Sequence, residues 1–266
     1  MFTHLHIHTQ YSLLEGAIRI KDLAAALKEK GYDSCAITDH GNMFGAIEFY
    51  HTMKAANLKP IIGVGASVAE ESEQQLNYYG RKKSSPGQIQ LLCLNRAGYQ
   101  NLSFMLSLSY TDGKVNGTPC INYQLLEKYN EGLIALSGGM NSQINRFLLN
   151  GRIDEARRIA IWYRDLFCDR YYIELQNTGL PDQKSLNSLL SSSISSAAFL
   201  KRSYSWSRFI RFARGSSSSS SSTDCLGKSI RDLISARKAA ITRYSAASSN
   251  RISLRASMYC IYCFVI

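Results

Sequence analysis

The 266-residue sequence has no run of 18 apolar residues, which excludes a transmembrane helix. Its first residues carry histidines where a signal peptide would carry an apolar core, so no secretory leader is read there. Its seven cysteines, at 35, 93, 120, 168, 225, 260 and 263, are scattered and odd in number. Without a secretion signal they read as reduced cytosolic thiols, and the Cys260/Cys263 pair has no second pair to complete a metal knuckle. Acidic residues are nearly missing from one end. Residues 1–190 hold 19 Lys+Arg against 18 Asp+Glu, whereas residues 191–266 hold 12 against 2. The formal charge of +11 therefore describes the tail, and it does not mark the first 190 residues as a nucleic-acid-binding surface.

With 45% hydrophobic residues the chain can bury a sizeable core. Residues 2–8 alternate as a strand, 17–30 have helical spacing that stops at Gly31, and 33–38 form a short strand. A helix over 43–56 and a strand I-I-G-V after Lys59-Pro60 complete a β-α-β-α-β pattern, the signature of a parallel sheet or barrel. Further strands are predicted at 89–94, 132–137 and 170–175, and helices at 99–110, 122–128, 141–149 and 153–167. From Ser191 on, about 22 of 76 residues are serine, seven of them consecutive at 216–222, and apolar residues lack periodicity. That composition does not fold alone.

Three of the five histidines fall in F-T-H-L-H-I-H-T, residues 2–9. Strand alternation places His4, His6 and His8 on one face and Leu5 and Ile7 on the other. The second strand ends in Thr38-Asp39-His40-Gly41, and Glu15 follows the first strand in Y-S-L-L-E-G. In a parallel sheet function gathers at these strand ends. Imidazoles with a carboxylate are a common ligand set for zinc, manganese or iron, and a metal there would activate water and neutralise a phosphate oxygen. His51 reads as a solvated histidine on a polar helix surface, and His4 as a residue of the strand's buried end. Asp39 reads as a group that orients a neighbouring histidine or loop.

The strings H-L-H-I-H-T-Q-Y-S-L-L-E-G-A, A-I-T-D-H-G-N-M-F-G-A-I-E-F-Y and K-P-I-I-G-V resemble the N-terminal PHP (polymerase and histidinol phosphatase) domain of bacterial DNA polymerase III alpha subunits. So do N-R-A-G-Y-Q-N-L, L-L-E-K-Y-N-E-G-L-I-A-L-S-G and Y-I-E-L-Q-N-T-G-L-P-D-Q. The resemblance runs from about residue 2 to about 190. It implies an α/β fold, a distorted (β/α)7 PHP barrel left incomplete here. It implies a divalent metal, zinc or manganese, at strand ends onto which His6, His8 and His40 fall, with Glu15 where the family usually has Asp. Some family members use the site for a 3′–5′ exonuclease or phosphoesterase activity; in others it is degenerate.

The departures from that pattern are specific. Gly65 stands where the family usually has a ligand Glu, Gln88 where it has His, Gly139 where it has Cys, and Thr178 where it has His. A strand ending in Asp-x-His should follow residue 190, and the serine-rich tail stands there instead. The expected organisation is an incomplete PHP domain over 1–190 and a disordered or non-native tail over 191–266, read as the product of a reading-frame shift rather than as a selected basic arm. The expected function is that of a cytoplasmic N-terminal fragment of a replicative polymerase, its PHP site degenerate and no side chain assigned a catalytic role. DNA and replisome subunits would be partners of the full-length family, with no membrane. Two alternatives stay open: a stand-alone metal-dependent phosphoesterase or 3′–5′ exonuclease, and a non-catalytic module binding nucleic acid through its basic tail.

Overall fold

The computed structural model describes residues 2–69, 86–115, 117–177 and 180–194. Thr178, the Cys260/Cys263 pair and the tail from residue 195 lie outside the described residues.

Helix α1, Ile20–Glu29, forms where Ile20, Leu23, Ala24 and Leu27 recur at helical spacing and all four are buried. Strand β1, Ser34–Ile37, follows, then α2, Ala46–Ala55, which buries Phe49 and Met53. Strand β2, Lys59–Ala69, is eleven residues long and organises the sheet. It pairs in parallel with β1 over Lys59–Ile62, then antiparallel with β3, Gly87–Cys93, over Gly63–Val68. The antiparallel step departs from the purely parallel pattern read in the sequence. Strand β7, Leu133–Leu136, pairs antiparallel with β3, and β8, Tyr171–Tyr172, pairs in parallel with β7. The order is β1-β2-β3-β7-β8, with the short β6, Ile121–Asn122, beside the end of β2. Two-residue strands β4, Lys114–Val115, and β5, Thr118–Pro119, form a separate hairpin.

Helices α3 (Arg96–Thr111), α4 (Tyr123–Tyr129), α5 (Gln143–Leu149), α6 (Ile153–Phe167) and α7 (Pro181–Ser193) are the remaining helices of the described residues. Three begin on a side-chain cap: Asn95 accepts from Gly98 N, Asn122 from Leu125 N and Ser142 from Asn145 N. Their apolar faces pack with Val64, Ala66 and Val68 of β2 and with Leu133 and Ala135 of β7 into the larger core. The opposite faces of the strands meet in a second cluster of Leu5, Ala36, Ile61, Leu92, Ile134, Leu136 and Tyr172. The N-terminal segment and strands β1, β2, β3, β7 and β8 each supply it, so the sheet curls around it as a barrel does. The curl is not closed, because no strand pairing joins β8 to the N-terminal segment among the described residues.

Helix α7 was not expected from the sequence. Leu186, Leu190 and Ile194, four residues apart, are buried in the larger core, and Pro181 opens the first turn. The helix extends three residues past position 190, where the composition changes. The predicted strand over 170–175 shortens to two residues. Among the described residues, Cys35, Cys93, Cys120 and Cys168 form no disulfide with one another. No helix among the described residues is long and apolar enough to cross a membrane.

Candidate functional site

The segment 2–9 runs beside β1 without forming a continuous strand; an isolated bridge joins His4 to Cys35. Ala36 N donates to His4 O at 2.7 Å, and Thr38 N donates to Ile7 O at 2.9 Å. Two residues on β1 thus face three on the N-terminal segment. That extra residue is a bulge, and a bulge re-aims every side chain beyond it.

The predicted common face for His4, His6 and His8 is therefore wrong. His4 packs edge-on to Phe2 and Tyr32 at centroid distances of 4.9 and 5.0 Å, away from the other two, and burial pushes its imidazole pKa down. Leu5 enters the inner cluster while Ile7 packs on the α1–α2 layer. His6 and His8 turn toward each other, their Nε2 atoms 3.0 Å apart.

Around them lies a chain of hydrogen bonds with a defined direction. Asp39, buried at the end of β1, accepts from Thr9 N at 2.6 Å, Thr9 Oγ1 at 2.7 Å and Ser12 Oγ at 2.7 Å. This is the orienting role expected of it. Because the Ser12 hydroxyl donates to Asp39, its oxygen accepts from His40 N at 3.0 Å and from His8 Nδ1 at 3.1 Å. His8 carries its proton on Nδ1 and offers a lone pair at Nε2, so His6 donates Nε2–H to it. His6 Nδ1 and Glu174 Oε1, 2.7 Å apart, then share one further proton, as imidazolium with carboxylate or imidazole with carboxylic acid. Glu174 also accepts from Gln176 Nε2 at 2.8 Å, while its Oε2 has no partner among the described residues.

Burial, followed by the nearby His6 and His40, pushes the His8 imidazole down to about 3. In the unfolded chain it takes up a proton near pH 6.5. The unfolded state thus binds more protons as pH falls from about 6.5 toward 3. The contribution is fully present above 6.5 and is lost on acidification through that window. Urea melts at pH 7, 5.5 and 4.5 should show His8→Gln losing stability with acid more shallowly than the parent. Parallel losses would contradict this origin.

The remaining predicted residues lie farther out. His40 reaches the site from the end of β1, bridged to Gly65 of β2. Its Nδ1 stands 3.3 Å from Gln88 Nε2 and 3.8 Å from Glu15 Oε2, the latter side chain being half exposed. His51 is exposed on α2, as expected, with its ring against Tyr50 at 5.6 Å. Carboxamides occupy what would be ligand space. A Cβ on Gly65 would lie 3.1 Å from Gln90 Oε1, and one on Gly139 would overlap the Gln176 amide. Gln90 is buried, and its Oε1 has no partner among the described residues. No group of three or more His, Cys, Asp or Glu side chains among the described residues is disposed to hold a metal ion. His6 and His8 present two nitrogens at a spacing one ion could bridge, each with its other nitrogen anchored as metal-binding histidines usually are. Two donors, one of them blocked by a proton, do not complete a divalent metal site.

Glu174 is the site residue that sequence reasoning missed. The available signal was a lone carboxylate in the apolar string Y-Y-I-E-L, which a buried strand end tolerates only with a partner.

The PHP domain family model matches residues 4–178. The DNA polymerase III subunit alpha of Campylobacter jejuni is 44% identical over 200 residues, covering 70% of this chain and 16% of that protein. Its counterparts from Deinococcus radiodurans and Thermus aquaticus are each 42% identical, covering 71% of this chain and 14% and 16% of theirs. The chain thus spans 14–16% of the length of these curated relatives. Among solved structures, a Bifidobacterium adolescentis protein, provisionally described as a metal-dependent phosphoesterase, is 14% identical over 72% of this chain and 82% of its own, with a TM-score of 0.44. From its bulged H-x-H segment to Glu174, the chain belongs to the PHP domain family.

Proposed function

We propose that this chain is the PHP portion of a DNA polymerase III alpha-type protein, and that its histidine site is a degenerate metal-dependent phosphoesterase site. Templated DNA synthesis, with DNA and replisome subunits as partners, would belong to the longer protein. The similarity to three polymerase alpha subunits supports the first part. The observation that carries the second is the replacement of convergent ligands by Gly65, Gly139 and the carboxamides Gln88, Gln90 and Gln176. Gln88 and Gln176 hydrogen-bond His40 and Glu174, where a hydrolase would hold such side chains by metal coordination. Within this reading Asp39 and Ser12 keep His8 oriented, Glu174 keeps His6 oriented, and the network supports the barrel end.

A working phosphoesterase is the second reading, favoured by the 3.0 Å approach of the two Nε2 atoms. Calorimetric titration of the chain with zinc and with manganese separates the two, beside a His8→Ala control. We expect no stoichiometric uptake at micromolar metal, and turnover of a phosphomonoester no higher than in the control. Stoichiometric uptake and turnover, both lost in His8→Ala, would establish the second reading.

A further inference from the structure

Strands β2 and β3 separate at one end. Their antiparallel pairing stops at Gly63 opposite Leu92. Beyond that pair, β2 stays bound to β1 as far as Lys59, and β3 stays bound to β7 as far as Cys93 opposite Leu133. Helix α3 starts close by, at Arg96. A cavity of about 420 Å³ lies there, and its walls include Tyr50, Lys59, Ile62, Leu94, Arg96 and Tyr99. That volume falls in the range of about 300–1,000 Å³ typical of small-molecule pockets. No residue of the histidine network lines it.

The lining carries two cations and no carboxylate. Cys93 also lines it, and burial pushes its thiol up to about 12, so it adds no negative charge at neutral pH. Asn95 lines it too. Its Oδ1 accepts from Gly98 N at 2.9 Å, which leaves its Nδ2 to donate. Lys54 Nζ stands 5.8 Å from the centre of the Tyr50 ring and adds a third positive charge at that wall. Burial lowers the Lys59 pKa, with Asp33 opposing and Lys54 reinforcing it. A lysine partly stripped of water gains more from an anion than one in bulk solvent. Tyr50 and Tyr99 are 44% and 36% exposed. Exposed phenol rings beside cations are the combination that takes a base and its phosphate together.

We propose that this cavity binds a nucleotide, with Lys59 and Arg96 holding the phosphate and Tyr50 and Tyr99 packing on the base. The chemistry recognised is that of a nucleoside 5′-phosphate, either free or at the end of a DNA strand. Arg96 offers a planar fork of N–H donors that matches two phosphate oxygens, and Lys59 offers a compact charge. Ile62 and Leu94 supply the apolar wall that a base needs to leave water. The inference stands apart from the proposed function, because no residue of the histidine site takes part in it.

The test is calorimetric titration of the full chain with dAMP at low salt, where one-to-one uptake is expected. Deoxyadenosine lacks the phosphate and inorganic phosphate lacks the base, so each should bind at least about tenfold more weakly. The tail holds 12 Lys+Arg and would draw phosphates without regard to the base, so variants in the cavity decide the matter. Arg96→Glu, at the exposed first position of α3, should weaken dAMP at least about tenfold and leave the helix intact, since an acidic residue suits a helix start. Tyr99→Ser should weaken it similarly, while Tyr99→Phe keeps the stacking ring and the affinity. A short 5′-phosphorylated oligo(dA) separates the sources. Tighter oligonucleotide binding that Arg96→Glu still weakens identifies a strand end, and tighter dAMP binding identifies a free nucleotide. Absence of dAMP uptake at millimolar concentration overturns the proposal. So does uptake unchanged in Arg96→Glu or in Tyr99→Ser, since the ligand would then sit elsewhere, and so does inorganic phosphate binding as tightly as dAMP.

Discussion

His6→Ala should cost about 3–5 kcal/mol of folding stability, the usual loss when one partner of a buried ionic pair is removed. The reason lies in Glu174 more than in His6. Glu174 has a fully buried side chain, with His6 at 2.7 Å and Gln176 at 2.8 Å as its side-chain partners among the described residues. Without the imidazole, the carboxyl group must stay charged in a buried site or bury an unsatisfied hydroxyl. Glu174→Gln leaves a group that still hydrogen-bonds and should cost only about 1 kcal/mol. The double variant His6→Ala/Glu174→Gln should therefore be more stable than His6→Ala alone, a reversal that urea unfolding followed by circular dichroism would register. If the double variant is the less stable, His6 acts through packing and the pairing argument fails.

A second large effect is expected far from the histidines, at Gly98→Ala. The first turn of α3 presses on the loop before β7, and a Cβ on Gly98 would stand 1.9 Å from Gly132 O and 2.5 Å from Gly132 C. Both obstacles are backbone, and Gly132 O is already bound by Leu94 N at 2.8 Å, so it cannot retreat freely. Gly132 cannot be replaced either, since it lies at φ 71° and its Cβ would meet Asn95 Oδ1 at 2.4 Å. Separation of the helix from the loop should cost about 3 kcal/mol, the upper range of overpacking. Gly151 is the control. It shares φ 71° but has nothing within 4 Å, so Gly151→Ala should cost only the left-handed backbone term of about 1–2 kcal/mol. Equal losses at 98 and 151 would remove close approach as the cause.

The helices and most strands could be read from the sequence because their signals are local. Ile20, Leu23, Ala24 and Leu27 declare α1 within eight residues, and Asn95, Asn122 and Ser142 cap helices through bonds three residues away. What could not be read was non-local or absent from hydrophobic patterning. The alternation of F-T-H-L-H-I-H-T is genuine, yet a single residue inserted opposite β1 parts His4 from His6 and His8. The hydrogen-bond register decides that, and periodicity carries no trace of it. Helix α7 was hidden because serines dilute its stripe of Leu186, Leu190 and Ile194. The site was legible in its first half only. His6, His8, His40 and Glu15 were named from strand ends, whereas Glu174 meets His6 from 168 residues away. The resemblance to PHP domains marked Gly65, Gln88 and Gly139 as departures, but geometry was needed to see that Gln90 and Gln176 stand in the vacated space.

That separation of 168 residues also sets an order of events during synthesis. His6 emerges 168 residues before Glu174, which lies in the later part of the described barrel. The substructure of β1, α2, β2 and β3 spans residues 34–93 and can pair before β7 and β8 exist. The nascent chain therefore carries an incomplete histidine chain until Glu174 has emerged. Engagement of His6 by Glu174 closes the site last, and amide protection at Glu174 would date the arrival of β8 during refolding.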